Sequence, residues 1–380
     1  MPDLLRHVRT LADEIGPRCA ARARELETAG YIVEAAKGYT HQVWTEPFPT
    51  YTVSLWQWFL FLCLALAGGL ALWWQPAVAL VLTALAAGCI AARAPGRNRG
   101  GWPLRRRMGQ NVVTVVPSLG AIRERVVLIA HYDTGRQLSE AVRADRFQAA
   151  NRLLVGSVPA LPLLALAGLV APHGVWAWIG LAPVLGIVGA AALSLGPAAT
   201  GSDPGATGLE NASGVTAALQ AAEAAGGAPL RHTEIWAVFT GCKQASMAGL
   251  HAFLDRHGRV LADAQFIVLD RVAAGGLCYS LGEGGLPHRR ADADLVGIVR
   301  EAAAAHPEWG VGGIALRQAR TEAYTAQARG HRAMALMGAG GLAGPDRVDR
   351  AAVDRAVALV RAVAERVDRR ACQQEEESVG

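Results

Sequence analysis

Arg125-Val126-Val127-Leu128-Ile129-Ala130-His131-Tyr132-Asp133-Thr134 is the stretch whose reading decides the fold. From Arg125 to Ala130 it is a short β-branched, apolar run, the composition of a strand buried on both faces. It then changes within one residue to His, Tyr and Asp. Strands covered by helices on both sides read in this way, and their functional groups gather at the carboxyl ends. Working outward, Gln42 to Phe48 alternates like a strand, and Asn111–Val116, Glu234–Phe239, Gln265–Leu269 and Ala333–Met337 repeat the buried pattern. Between and around them lie helical spacings at Pro2–Ile15, Arg22–Ala36, Val215–Ala225, Gln244–Arg256, Leu295–Ala305 and Arg350–Val367. Strands alternating with helices predict an α/β domain with a mostly parallel sheet.

Four apolar stretches interrupt that pattern. Ser54 to Trp74 carries no charge and is long enough to cross a hydrocarbon core of about 30 Å. Ala77–Ala92 is shorter, and Leu153–Ala171 and Val175–Gly196 form a second pair. The links within the pairs are only Gln75-Pro76 and Pro172-His173-Gly174, so each pair reads as a helical hairpin, 54–92 and 153–196. Pro159, Pro162 and Pro183 are tolerable there, because neighbouring helices re-satisfy the freed carbonyls. Trp56, Trp58, Trp73, Trp74, Trp176 and Trp178 sit where an aromatic belt is expected. Arginines flank one side only: Arg93 to Arg107 after the first pair, and Arg143, Arg146 and Arg152 before the second. That asymmetry predicts a multi-pass protein of the inner cell membrane, its termini and long segments cytoplasmic, with the lipid bilayer as one partner.

Composition agrees. Of 380 residues, 52% are hydrophobic and only 18% charged, below the quarter usual for a soluble domain. The net charge of +5 rests almost wholly on arginine. The basic segment 93–107 lacks the interleaved aromatics of a base-stacking surface, so it reads as a cytoplasmic linker gripping anionic lipid, with no nucleic acid partner. Six scattered cysteines without a CxxC pair support neither a disulfide framework nor a zinc ribbon. Met1 to Gly16 lacks the apolar core of a cleaved signal peptide. The acidic segment 372–380 reads as a disordered tail.

Residues that carry chemistry lie at the strand ends: His131 and Asp133, the turn Gly208-Leu209-Glu210-Asn211-Ala212-Ser213-Gly214, the segment Thr240-Gly241-Cys242-Lys243-Gln244, and Asp270-Arg271. Imidazole and carboxylate at converging strand ends suit zinc, although a His-x-Asp pair at a strand end is common without it. Together with Leu11–Arg18, Asn111-Val112-Val113, Arg329–Leu336 and Pro345–Asp349, these segments resemble the M28 family of zinc aminopeptidases over nearly all of the chain outside the hairpins. The resemblance implies a three-layer αβα domain with a mixed, mostly parallel sheet of the zinc-aminopeptidase type. That domain is assembled from 1–50, 108–150 and 200–371, with four inserted transmembrane helices in two hairpins.

The family binds two zinc ions. The resemblance puts its metal ligands at His131, Glu210 (in place of a bridging Asp, one methylene longer) and Asp270. Asp133 takes the place of the carboxylate that orients the first His. The family's Glu-Glu pair, general base and ligand, falls on Cys242 and Lys243. Its final His falls within Gly338–Gly341, best at Ala339; His331 comes too early. One metal position is thus nearly whole, while the other and the base are lost, so two-metal hydrolysis is not expected. The favoured expectation is a catalytically inactive binding or scaffold protein in which the Lys243 ammonium replaces the metal charge beside Glu210 and Asp270, with a peptide or protein partner of unknown identity. The alternative is a metallopeptidase working with a single zinc at His131, Glu210 and Asp270. A transport component is disfavoured because the apolar helices contain no charged residue.

Overall fold

The computed structural model describes residues 4–52, 55–91, 105–135, 140–170, 173–199, 208–284, 288–317, 319–340 and 349–379. In chain order the elements are α1 (Leu4–Arg9), continued by a π-helical turn Thr10–Ile15, α2 (Ala23–Ala36), β1 (Gln42–Thr52), α3 (Leu55–Ala71), α4 (Pro76–Ala91), β2 (Arg105–Val116) and β3 (Glu124–His131). Then come α5 (Glu140–Gly168), α6 (His173–Ala199), α7 (Ala212–Gly227), β4 (Thr233–Thr240), α8 (Ala248–His257), β5 (Gln265–Asp270), β6 (Leu277–Glu283) and β7 (Arg289–Arg290). The chain closes with α9 (Ala293–Ala304), β8 (Gly312–Leu316), α10 (Glu322–Ala328), β9 (Arg332–Gly338) and α11 (Arg350–Val379). These form two compact units: Met1–Thr50 with Arg107–Gln137 and Gly205–Gly380, and Tyr51–Arg106 with Leu138–Pro204.

The first unit is built on a sheet ordered β1-β2-β4-β3-β5-β9-β6-β7, with β8 paired to β6 outside that path. The centre, β4-β3-β5-β9, is parallel; β2 joins β4 and β6 joins β9 antiparallel. The β3 run explains the layering. Val126, Leu128 and Ala130 point to one core with residues of α7, α9 and α11, while Val127 and Ile129 point to another with Leu250, Phe253 and Leu254 of α8 and Ala323 and Ala326 of α10. A strand apolar on both sides needs a helical layer on each, and the mixed α/β domain expected from the sequence follows.

Several boundaries differ from the sequence expectation, each for a local reason. The helix expected from Gln244 starts at Ala248, because the Asp133 carboxylate accepts the N–H groups of Lys243 and Gln244 and holds them in a turn. The tail expected to be disordered from residue 372 instead continues α11, anchored where Glu375 meets His232 at 2.8 Å and Arg123 at 3.1 Å. β2 begins at Arg105, within the expected basic linker, whose residues 93–104 lie outside the described ones. The strands β6, β7 and β8 and the helix α10 are not legible in the sequence: all four are short, and β6 and β8 contain glycine.

In the second unit α3 packs on α4 and α6, and α5 on α4 and α6. Its interior is built from small and branched residues, among them Ala65, Leu72, Ala79, Leu161 and Ala165. Gly186 is required by close approach, since a Cβ there would lie 2.1 Å from Ser157 Oγ. Trp73 and Trp178 meet edge to face at 4.8 Å. α3 and α4 have 17 and 16 residues, a reach of about 25 Å at 1.5 Å per residue. α5 begins well before its expected apolar part, and its first turns carry Glu140, Arg143, Asp145 and Arg146. Among the described residues no helix is long and apolar enough to cross a membrane, so the expectation of four crossings is not met by these helices.

One buried cation ties the first unit together. Arg18 is fully buried, and its guanidinium donates to the carbonyls of Leu11, Gly16, Tyr132, Gly208 and Glu210 at 2.6–3.1 Å. Replacing Arg18 by methionine keeps the bulk and leaves those carbonyls without a donor. Urea unfolding of Arg18→Met is expected to show a loss of about 3–5 kcal/mol, against under about 1 kcal/mol for the exposed Arg22→Met.

Candidate functional site

Three strand ends create the site. β3 and β4 run in register to His131 opposite Thr240, and the neighbouring β5 ends on Asp270. Asn211, in the left-handed conformation ahead of α7, fixes their spacing. Its Nδ2 donates to the carbonyls of His131 at 2.8 Å and Leu269 at 3.2 Å, and its Oδ1 accepts the Arg271 N–H at 2.7 Å. Gly214 is needed beside it, because a Cβ would lie 2.2 Å from Asn211 Oδ1. The Asn-Ala-Ser-Gly turn is therefore a spacer between strands.

Lys243 reaches into the centre. Its Nζ lies 2.6 Å from Asp270 Oδ2 and 2.9 Å from His131 Nε2, while His131 Nε2 and Asp270 Oδ1 are 3.6 Å apart. Both His131 and Asp270 are buried. Burial opposes the Asp270 charge, but Lys243, His131 and Arg271 hold its carboxyl well below the usual carboxylate range. His131 Nδ1 is 3.0 Å from the Asp133 carbonyl, which only accepts, so Nδ1 carries the hydrogen. Burial and the Lys243 charge favour a neutral ring, but Asp133 and Asp270 outweigh them and raise the ring to about 9. The 2.9 Å contact with Lys243 Nζ needs a lone pair on Nε2, whereas a charged ring would compete with Lys243 for Asp270, 3.6 Å away.

The remaining expected residues fall differently. Glu210 does not meet Lys243: its carboxylate accepts the Gly135 N–H at 2.5 Å and the Gln244 amide at 2.9 Å. This corrects the expected pairing, because the Gly135 N–H and the adjacent Gln244 claim both of the longer side chain's oxygens. Asp133 lies 3.4 Å from His131 Nδ1, and its main contacts are the two N–H groups of the Lys243 turn. Cys242 is buried at positive φ, packed with Phe48, Ala21 and Ala248. Burial, then the nearby Glu25 and Asp133 charges, push its thiol far above the usual range, so it is neither base nor nucleophile but a core residue. Ala339 sits in the exposed turn after β9 and contributes an N–H to the Gly276 carbonyl at 2.6 Å. His331 lies at the opposite, amino end of β9 against Phe266. Of Pro345–Asp349, residues 345–348 are outside the described ones.

Two buried carboxyls were missed. Glu25 on α2 accepts the N–H groups of Cys242 at 2.7 Å and Ala21 at 2.6 Å, and burial and Asp133 raise it to about 7. Glu322 opens α10 fully buried, accepts Thr240 Oγ1 at 2.7 Å, and is raised to about 7 by burial against the opposing pull of His131 and Lys243. Neither stands beside a recognisable motif. Only Glu25 has a signal, its place in the helical spacing Arg22–Ala36.

Zinc takes lone pairs from three or four protein ligands. Here His131 Nε2 and Asp270 Oδ2 are engaged by an ammonium and Glu210 is turned away. Among the described residues no three His, Cys, Asp or Glu side chains are grouped to hold a metal ion. The residues present do not fit the metal.

The described geometry is similar in fold to solved zinc exopeptidases. A zinc aminopeptidase from Bacillus subtilis aligns over 96% of this chain and 94% of its own with a TM-score of 0.52 at 12% identity. A zinc-dependent exopeptidase from Parabacteroides distasonis aligns over 96% of both chains, with a TM-score of 0.52 and 13% identity. The glutaminyl cyclase of Fimbriiglobus ruber aligns over 96% of both chains, with a TM-score of 0.51 and 12% identity. At such identities the likeness is one of fold. No protein-family model matches the chain, and no curated protein matches it in sequence.

Because Glu322 takes up its proton more readily folded than unfolded, it makes the protein more stable at low pH. That contribution is present below about pH 4.5 and is lost as pH rises through about 7. Glu322→Gln is expected to flatten this part of the profile, gaining about 2–3 kcal/mol over wild type near pH 8 but little near pH 4, read by urea unfolding at each pH.

Proposed function

We propose that this chain is a membrane-anchored, peptidase-like protein whose site neither binds zinc nor hydrolyses peptides, and which acts by binding a partner. The observation that carries the reading is the Lys243 ammonium, within hydrogen-bond distance of both His131 and Asp270. It supplies the positive charge that a buried carboxylate requires, and it occupies the lone pairs a metal would use. Cys242, which stands where the family has its general base, is a buried thiol unsuited to take a proton from water.

The membrane part rests on the uncharged stretches of the sequence and on the outward surface of α3–α6. Leu70, Trp74, Val81, Leu163, Trp178 and Leu185 are all more than half exposed. Helices that turn leucine, valine and tryptophan outward around an apolar core suit lipid better than water. The arginines on one side of the apolar stretches support a cytoplasmic position for the peptidase-like domain.

Metal analysis of detergent-purified protein, beside an aminopeptidase assay, tests the site; sub-stoichiometric zinc and no turnover are expected. Stoichiometric zinc, with hydrolysis abolished by His131→Ala, would establish the one-metal enzyme instead. Lys243→Glu is expected to cost about 3–5 kcal/mol of stability in chelator, since it leaves Asp270 buried beside a second carboxylate. A neutral or stabilising effect would rule out the ammonium as the replacement charge.

A further inference from the structure

The sheet carries a second group of cations, at the edge formed by β6, β7 and β8. β9 and β7 hydrogen-bond along one side of β6, and β8 along the other. No described strand pairs with the far edge of β8. That edge is accessible: Gly312, Gly313 and Ala315 are exposed, and the Gly312 Cα faces open space. An open strand edge presents unpaired backbone donors and acceptors, which natural proteins usually cover or blunt.

Arginines surround it. Arg317 directly follows β8, Arg320 lies three residues on, and β7 consists of Arg289 and Arg290. The ladder sets Glu283 of β6 between Arg289 and Leu316, placing Arg289 two strand spacings, roughly 10 Å, from the end of β8. The guanidiniums of Arg289 and Arg320 converge on the Tyr324 ring, 5.7 and 4.4 Å from its centre. Among the described residues no carboxylate lies within ion-pair distance of Arg289, Arg290, Arg317 or Arg320, whereas Arg123, Arg125, Arg256, Arg329 and Arg361 each have one. Arg289 Nε is moreover buried without a hydrogen-bond partner. Like charges gathered on one ring repel, and an unmet buried donor costs free energy; an incoming anion relieves both.

We propose that the open edge of β8, with Arg289, Arg290, Arg317 and Arg320, is a docking site for an extended acidic peptide segment. The segment adds a strand to β8 and lays its carboxylates against the guanidiniums. Backbone pairing supplies the register, and alternate side chains supply the selection for acid. This site is independent of whether Lys243 excludes zinc, so failure of either reading leaves the other standing.

The test uses the full chain in detergent and a fluorescein-labelled peptide of alternating Glu and Val, followed by anisotropy. Saturable binding is expected, weakened by about tenfold or more when Glu is replaced by Gln in the peptide. The same loss is expected when alternate peptide amides are N-methylated, and in the double variant Arg289→Ala/Arg320→Ala with an unchanged melting temperature. No binding, or binding indifferent to the arginine substitutions, overturns the site. Equal affinity for the N-methylated peptide overturns the strand addition, and competition by inorganic phosphate as strong as by unlabelled peptide overturns the assignment to a peptide.

Discussion

An ammonium held between a buried carboxylate and an imidazole governs this end of the sheet. Asp270 ends the central strand β5 at a depth where water cannot solvate its charge. Without a cation the carboxyl would have to take up a proton or move. Lys243 meets that need from the same chain, 2.6 Å from Asp270 Oδ2. The turn that delivers Lys243 is itself held by Asp133 and Glu25, through the N–H groups of residues 242–244. At this end of the sheet each of these carboxyls thus accepts from a donor on a neighbouring segment.

What the sequence disclosed and what it concealed divide along physical lines. Buried parallel strands such as Arg125–Ala130 are readable because apolar runs of that length have few other uses. The end-of-strand positions of His131, Asp270 and Lys243 followed, since chain order alone puts them there. Side-chain direction did not follow. Glu210, one methylene longer than aspartate, uses that length to reach the Gly135 N–H, and no spacing rule announces such a choice. Glu25 sits on a helix whose pattern shows only that one face is buried, and Glu322 on α10, which the sequence does not disclose; that either acid stands beside the site depends on packing. The acidic tail was misjudged for a related reason. Composition weighed its charge, but Glu375 finds His232 and Arg123 across the fold.

The apolar helices pose the converse case. Composition and arginine placement give strong signals, while the described helices α3 and α4 are short for a bilayer crossing. Leu70 of α3 and Val78, Val81 and Leu85 of α4 are exposed, and α5 and α6 approach closely where Gly186 meets Ser157.

Arg18 carries a consequence for how the chain comes into being. One of its carbonyl partners, at Gly208, lies 190 residues further along the chain. During synthesis the amino-terminal segment must therefore wait, with an arginine destined for the interior still in water, until both apolar helix pairs have been made. Contacts of such sequence separation are slow to close. The contact between Arg18 and Gly208 therefore ties the completion of the amino-terminal segment to a part of the chain made after both apolar helix pairs.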